Sequence, residues 1–145
     1  MIAIGSDHGG FELKGHVIEH LKEKGIEVKD FGTYSEASVD YPDCAKPVCK
    51  AVLDGECECG ILICGTGIGI SMAANKFKGI RAALCGDVFS AKMSKEHNNA
   101  NIICMGGRVL GRELANMIVD TYLEAEFQGC RHADRIKKIH EIETM

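Results

Sequence analysis

The stretch that decides the fold is "GILICGTGIGIS", which runs from Gly60 to Ser71. Its opening segment, "GILIC", is apolar throughout, as in a β-strand that is covered on both faces. Three glycines, Gly65, Gly67 and Gly69, then allow a sharp backbone turn into a helix that begins within "GISMAANKF". A strand, a short turn and a helix in this order are typical of parallel sheets in α/β proteins.

Short apolar segments and longer amphipathic segments alternate on both sides of this turn. The predicted strands are "MIAIG", "IEVKDFG", "GILIC", "IRAALC" and "NIICMG", and six helical segments separate or follow them. In the fifth of these helices, "GRELANMIVDTYLEAEF", the apolar face is predicted to hold Leu114, Met117, Ile118 and Thr121. The pattern predicts a single α/β domain over residues 1–145, a Rossmann-like three-layer sandwich with a five-stranded parallel sheet.

Length and composition limit the classes of function. The 145 residues suit one domain, and a hydrophobic fraction of 46% is enough for a core. The net charge of −4 gives no reason to expect nucleic acid or an acidic membrane as a partner. No apolar run approaches the roughly 20 residues that span a bilayer. The N-terminus "MIAIGSDHGG" lacks the basic and apolar segments of a signal peptide, so a cytoplasmic location is expected.

Eight cysteines lie mostly within predicted strands and helices rather than in loops. We therefore expect reduced, mostly buried thiols and not the disulfide framework of a small secreted domain. Cys57, Cys59 and Cys64 lack the paired C-x-x-C spacing of a structural zinc site, and no histidine lies near them in sequence. The sequence therefore predicts no metal site.

The glycine turn is the first candidate for a binding site, because ligands of parallel sheets bind beyond the carboxyl ends of the strands. The turn departs from the dinucleotide pattern G-x-G-x-x-G, since Ile70 occupies the position of the third glycine. Its backbone N–H groups could still hold negative charge at the start of a helix. A tight turn without any ligand is the alternative.

Three reactive side chains follow predicted strands at this edge. Cys64 lies just before a helix, where a thiol gains thiolate character and can act as a nucleophile or a base. A buried structural cysteine is equally compatible with that position. Asp7 and His8 follow the first strand and could bind hydroxyls or transfer protons. A helix cap by Ser6 or Asp7, with an exposed His8, is the alternative.

A histidine and three arginines complete the candidates. His97 ends a helix within "EHNNAN", where the helix dipole alone would favour an imidazole. Arg108 follows the fifth strand. Arg131 and Arg135 are four residues apart on one face of the final helix, as suits a phosphate group. A solvated basic face is the alternative for this pair.

Five segments occur in one order over nearly the whole chain: "SDHGGFELK", "DYP" at 40–42, "ICGTGIGISMAANKFKGIRAALC", "EHNNANIICMGGRVLG" and "RHADRIKKI". Together they strongly resemble the type B ribose-5-phosphate isomerases, a family shared with the galactose-6-phosphate isomerase subunits. The resemblance implies an aldose–ketose isomerase that interconverts ribose 5-phosphate and ribulose 5-phosphate through a cis-enediolate, with no metal and no organic cofactor. It also implies a homodimer, in some relatives a dimer of dimers, with sites built from two subunits and the C-terminal helix packed on the partner.

The resemblance also implies a role for each candidate residue. Cys64 is the implied base, and it matches the branch of the family that uses cysteine rather than glutamate. His97 is implied to open the sugar ring, while Asp7 and Thr66 bind sugar oxygens and assist its proton transfers. The implied substrate contacts are His8, Tyr41, Gly65, Gly67, Ile68, Gly69, Asn98, Arg108, Arg131 and Arg135.

Two other functions remain open at this point. An isomerase of a six-carbon sugar phosphate, such as allose 6-phosphate or galactose 6-phosphate, would use the same residues with a different pocket depth. A non-catalytic phosphate-binding or nucleotide-binding module on the same fold is the second, since a fold does not fix a function. A thiol redox protein is disfavoured, because the chain has no C-x-x-C motif.

Overall fold

The computed structural model describes all residues from 1 to 145. The strands are β1 (Ile2–Ser6), β2 (Val28–Asp30), β3 (Cys59–Cys64), β4 (Ala82–Leu84) and β5 (Ile102–Gly106). The helices are α1 (Phe11–Glu23), α2 (Tyr41–Leu53), α3 (Ile68–Ala74), α4 (Val88–Glu96), α5 (Arg112–Glu124) and α6 (Arg131–Ile142). One 3-10 turn, His8–Gly10, lies between β1 and α1. None of the helices combines the length and the apolar character that a membrane crossing requires.

The sheet is parallel throughout and has the strand order β2-β1-β3-β5-β4. The predicted five-stranded parallel sheet is therefore confirmed. The chain moves from β1 outward to β2 and then crosses back to β3, so the strand order switches between β1 and β3. Crossovers between parallel strands are right-handed. A helix therefore covers one face of the sheet when the chain moves toward β2 and the opposite face when it moves toward β4. In keeping with this, α2 packs against α3 on one face, and α5 packs against α1 and α4 on the other.

The central strand β3 is buried along its whole length because both faces of the sheet are covered. Its alternate side chains enter two separate apolar clusters. Ile61 and Ile63 pack into the cluster that also holds Val17 of α1. Leu62 and Cys64 point into the other cluster, against α2 and α3. The apolar run "GILIC" is thus a core strand whose last side chain lies at the carboxyl edge of the sheet.

The buried face of α5 shares only Ile118 with the predicted one. It consists of Ala115, Ile118, Val119 and Tyr122. Leu114 and Met117, assigned to that face from the sequence, are 37% and 55% exposed. The Tyr122 hydroxyl donates a hydrogen bond to the backbone oxygen of Ala100 at 2.5 Å, which lets this large side chain be buried. The face of α5 that includes Tyr122 is therefore the buried one, and Leu114 and Met117 remain on the surface.

Candidate active site

The turn after β3 requires a glycine at position 67. Gly67 adopts a φ of +81°, in the left-handed region, and forms the N-cap of α3. A β-carbon at this position would lie 2.6 Å from Leu84 Cδ1 and 2.8 Å from the backbone carbon of Met105. Only glycine fits both the backbone conformation and the space, so the chain can enter α3 while it stays against β5.

Backbone hydrogen bonds join the loops that follow β1, β3 and β5. The Gly107 N–H donates to the Cys64 oxygen at 2.8 Å, and the Arg108 N–H donates to the Gly65 oxygen at 3.0 Å. On the other side of β3, the Asp7 N–H donates to the Ile63 oxygen at 3.2 Å. The segments "SDHGG", "CGTGIG" and "GGRVLG" therefore meet at one edge of the sheet.

Cys64 is buried at the centre of this edge, with 4% of its surface exposed. Its Sγ accepts a hydrogen bond from the Gly67 N–H at 3.1 Å, a contact that can stabilise negative charge on the sulfur. The N–H groups of Gly65, Thr66 and Gly69 have no acceptor within the chain. Donors of this kind, next to a sulfur, are suited to a developing oxyanion.

Burial makes three other cysteines, Cys49 on α2, Cys59 on β3 and Cys104 on β5, poor candidates for a thiolate. Burial raises the pKa of the Cys49 and Cys59 thiols to about 11 each, and it raises the pKa of Cys104 as well. Cys57 and Cys64 belong to one apolar cluster, whereas Cys59 belongs to the cluster on the opposite face of the sheet. No group of three or more histidine, cysteine or acidic side chains could hold a metal ion.

Asp7 and His8 lie in the loop beside the glycine turn. Oδ1 of Asp7 accepts hydrogen bonds from the N–H groups of Gly9 and Gly10, so this residue does cap the 3-10 turn. Its other carboxylate oxygen has no partner within the chain. Nδ1 of His8 accepts a hydrogen bond from the Val39 N–H at 3.2 Å. Because a backbone N–H can only donate, Nε2 of the neutral ring carries the hydrogen and can donate to a ligand.

The side chains of Tyr41 and Arg108 pack against the backbone of the glycine turn, Tyr41 at Gly69 and Arg108 at Gly65. A β-carbon at Gly69 would lie 2.6 Å from Cζ of Tyr41, which begins α2. A β-carbon at Gly65 would lie 3.3 Å from Nη1 of Arg108. Both glycines thus permit close approach of a polar side chain to the backbone. Ile68, also among the expected contacts, is 46% exposed at the start of α3.

The remaining candidates lie at the opposite end of the strands, the amino end, which is called the amino edge of the sheet below. The turn that carries His97 and Asn98 follows α4 and leads into β5 at Ile102, which pairs with Gly60 at the amino end of β3. Cys64 pairs with the other end of β5, four residues and about 13 Å further along the strand. The structure therefore does not bring His97 and Asn98 to the Cys64 of their own chain.

Helix α6 contacts His97 at the amino ends of the strands through His132, a residue that was not among the sequence candidates. The His132 ring stacks on the His97 ring, with centroids 4.2 Å apart and planes 11° apart. His132 is buried, while Arg131 and Arg135 on the same helix are exposed. Burial lowers the pKa of His132, and the nearby His97, Arg131 and Arg135 lower it further. No sequence spacing could have revealed this contact between residues 35 positions apart.

The fold and the site together define a class of protein, the α/β isomerases of sugar phosphates. The model of the ribose/galactose isomerase family matches residues 2–139, and the chain belongs to that family. Ribose-5-phosphate isomerase B from Escherichia coli is 53% identical over 142 residues, which cover 98% of this chain and 95% of that protein.

Solved structures agree with this assignment. Ribose-5-phosphate isomerase B from Clostridium thermocellum is 59% identical, with a TM-score of 0.97 and coverage of 99% of this chain and 97% of that one. The enzyme from Mycoplasma genitalium, solved with bound ribulose 5-phosphate, is 45% identical, with a TM-score of 0.93 and coverage of 99% and 95%. Both cover the whole sheet and both groups of candidate residues.

Proposed function

We propose that this chain interconverts ribose 5-phosphate and ribulose 5-phosphate through a cis-enediolate. Membership of the ribose/galactose isomerase family supports the reaction class, and the relative with bound ribulose 5-phosphate supports the five-carbon substrate. The observation that carries the proposal is the buried Cys64 sulfur, 3.1 Å from the Gly67 nitrogen and beside N–H groups that have no acceptor. A base and an oxyanion site in contact are what enolisation of a sugar requires.

The first step opens the sugar ring. The proton of the hydroxyl on C1 leaves, the bond between C1 and the ring oxygen breaks, and the ring oxygen takes up a proton. An imidazole can accept and donate these protons, and in this proposal His97 does so. Asp7 and Thr66 hold the sugar oxygens during the transfer.

The second step moves a hydrogen from C2 to C1. The Cys64 thiolate removes the C2 proton, and the electron pair forms the C1–C2 double bond while the carbonyl oxygen becomes negative. The N–H groups of Gly65, Thr66 and Gly69 stabilise that charge. A proton passes from the C2 oxygen to the C1 oxygen, and the Cys64 thiol returns its proton to C1. C1 is reduced and C2 is oxidised within one molecule, so no external oxidant or reductant takes part.

The phosphate is held away from the reacting carbons, so that its binding energy orients the sugar. His8 and Arg108 supply donors at the carboxyl edge of the sheet. Arg131 and Arg135 supply guanidinium groups, which suit the geometry of a phosphate. Asn98 holds a sugar hydroxyl in this arrangement.

A complete site requires two copies of the chain in this proposal, because Cys64 and His97 lie at opposite edges of one sheet. Exposed apolar side chains near the glycine turn and on the loops and helices around it support such contact. They are Ile68, Met72, Leu84, Phe89 and Val109, between 45% and 72% exposed. We therefore propose a homodimer or a dimer of dimers. Its eight free cysteines fit a reducing, cytoplasmic location.

A coupled assay tests the proposal. Ribose 5-phosphate, allose 6-phosphate and galactose 6-phosphate are supplied in turn, with and without a chelator, and ketose formation is followed. We expect the largest kcat/KM with ribose 5-phosphate and no effect of the chelator. A larger value with a six-carbon sugar phosphate would move the proposal to that substrate. Thermal stabilisation by adenine nucleotides, together with no turnover of any sugar phosphate, would favour a binding module instead.

Arg135→Ala is expected to raise KM for ribose 5-phosphate by at least about 10-fold with little change in kcat, since a charged hydrogen bond to the remote phosphate is lost. Steady-state kinetics measure both constants. Lys137→Ala on the same helix, also exposed, is the matched control and should leave KM unchanged. An unchanged KM in Arg135→Ala would remove this residue from the phosphate site.

A further inference from the structure

We propose that His132 is a positioning residue that holds the His97 ring for ring opening. The inference rests on the proposed function, because it assigns a task to a neighbour of the residue that opens the ring. His132 belongs to α6 and His97 to the turn after α4, so their contact joins two elements far apart in sequence.

The geometry of the pair is that of a close stack. The ring centroids are 4.2 Å apart and the planes differ by 11°. His132 is only 7% exposed, although imidazole is polar and α6 is a highly charged surface helix. A buried aromatic ring beneath His97 restricts the rotation of that ring about its side-chain bonds. His97 itself is half-buried.

The charges around the pair disfavour a positive charge on His132. A protonated His132 would repel a protonated His97 across the stack. Arg131 and Arg135 flank His132 on α6, and burial disfavours a charge on it as well. Burial and these neighbouring charges therefore favour the neutral form of His132. A neutral ring stacked beneath an imidazolium stabilises it through its π face.

This arrangement fits what ring opening demands. His97 must alternate between neutral and protonated forms without changing its orientation toward the sugar oxygens. A neutral stacked partner permits both forms, whereas a charged partner would oppose the protonated one. The stack also ties the ring-opening residue to the helix that carries Arg131 and Arg135, so phosphate and ring oxygen are held by one packed unit.

The test compares a ring-forming substrate with one that cannot form a ring. Erythrose 4-phosphate carries its phosphate on O4 and therefore cannot close to a furanose, so its isomerisation needs no ring opening. For His132→Ala we expect kcat for ribose 5-phosphate to fall by about 10- to 100-fold with little change in KM. Turnover of erythrose 4-phosphate, followed at high enzyme concentration, should stay within about twofold of wild type.

Two further variants make the outcome decisive. His132→Phe keeps a stacked ring and is expected to recover most of the lost kcat. His140→Ala is the matched control, since it removes another α6 histidine, one that contacts Arg81 and Glu143 rather than His97. Any loss in this control should be equal for the two substrates.

Equal losses on both substrates in His132→Ala, or a raised KM with unchanged kcat, would overturn the inference and leave His132 as a packing residue of α6. No rescue by His132→Phe would overturn the role of stacking. A wild-type enzyme that does not turn over ribose 5-phosphate would instead contradict the proposed function itself. The two failures are therefore distinguishable.

Discussion

Cys64→Ala is expected to lower kcat for ribose 5-phosphate by at least about 1,000-fold, because Cys64 is the base that removes the C2 proton in this proposal. Binding of the sugar phosphate should persist, since the phosphate donors and the backbone N–H groups remain. Stopped assays at high enzyme concentration measure the residual rate, and calorimetry measures the affinity. Cys64→Ser, with a hydroxyl of much weaker acidity, should be nearly as inactive.

The matched control is Cys49→Ala. Cys49 is fully buried in the same apolar cluster as Cys64, but it lies on α2 away from the turn. We expect this variant to lose some stability and keep its kcat. If Cys64→Ala instead lost sugar-phosphate binding and thermal stability together, Cys64 would be a structural cysteine. If it kept more than about one tenth of wild-type activity, a different base would be required.

His97→Asn is expected to lower kcat for ribose 5-phosphate by about 100-fold, since asparagine keeps a polar side chain but cannot carry a proton between oxygens. Turnover of erythrose 4-phosphate should remain within about threefold of wild type, because that substrate has no ring to open. Parallel progress curves with the two sugars measure the ratio. Equal losses on both would show that His97 acts in the proton transfer between C2 and C1 or in binding.

Much of the fold can be predicted from local pattern. The apolar run "GILIC" predicts a strand covered on both faces, and the glycines after it predict a tight turn. At Gly67 the structure leaves no room for a β-carbon. Asp7, Cys64 and Arg108 each follow a strand, so their meeting at the carboxyl ends of a parallel sheet can be predicted without information about side-chain packing. These residues lie together for reasons of topology alone.

The rest depends on long-range packing. The buried stripe of α5 includes Tyr122, whose hydroxyl donates to the Ala100 oxygen, and it overlaps with a second apolar stripe that looks similar in sequence. The placement of His97 at the amino edge follows from the return path of α4, and its stack on His132 follows from how α6 docks. The stack has no signature in spacing, whereas the position of His97 just before the strand "NIICMG" is consistent with the amino end of a parallel sheet.

The central claim is that Cys64 of one copy works with His97 of another. The most direct test mixes two inactive variants, Cys64→Ala and His97→Asn, by co-expression with different tags, and measures isomerase activity in the purified mixed dimers. Each mixed dimer would hold one intact site and one site with both substitutions, so we expect about half of wild-type activity per dimer. Mixed dimers as inactive as either parent would contradict the claim and require both residues to act within one chain.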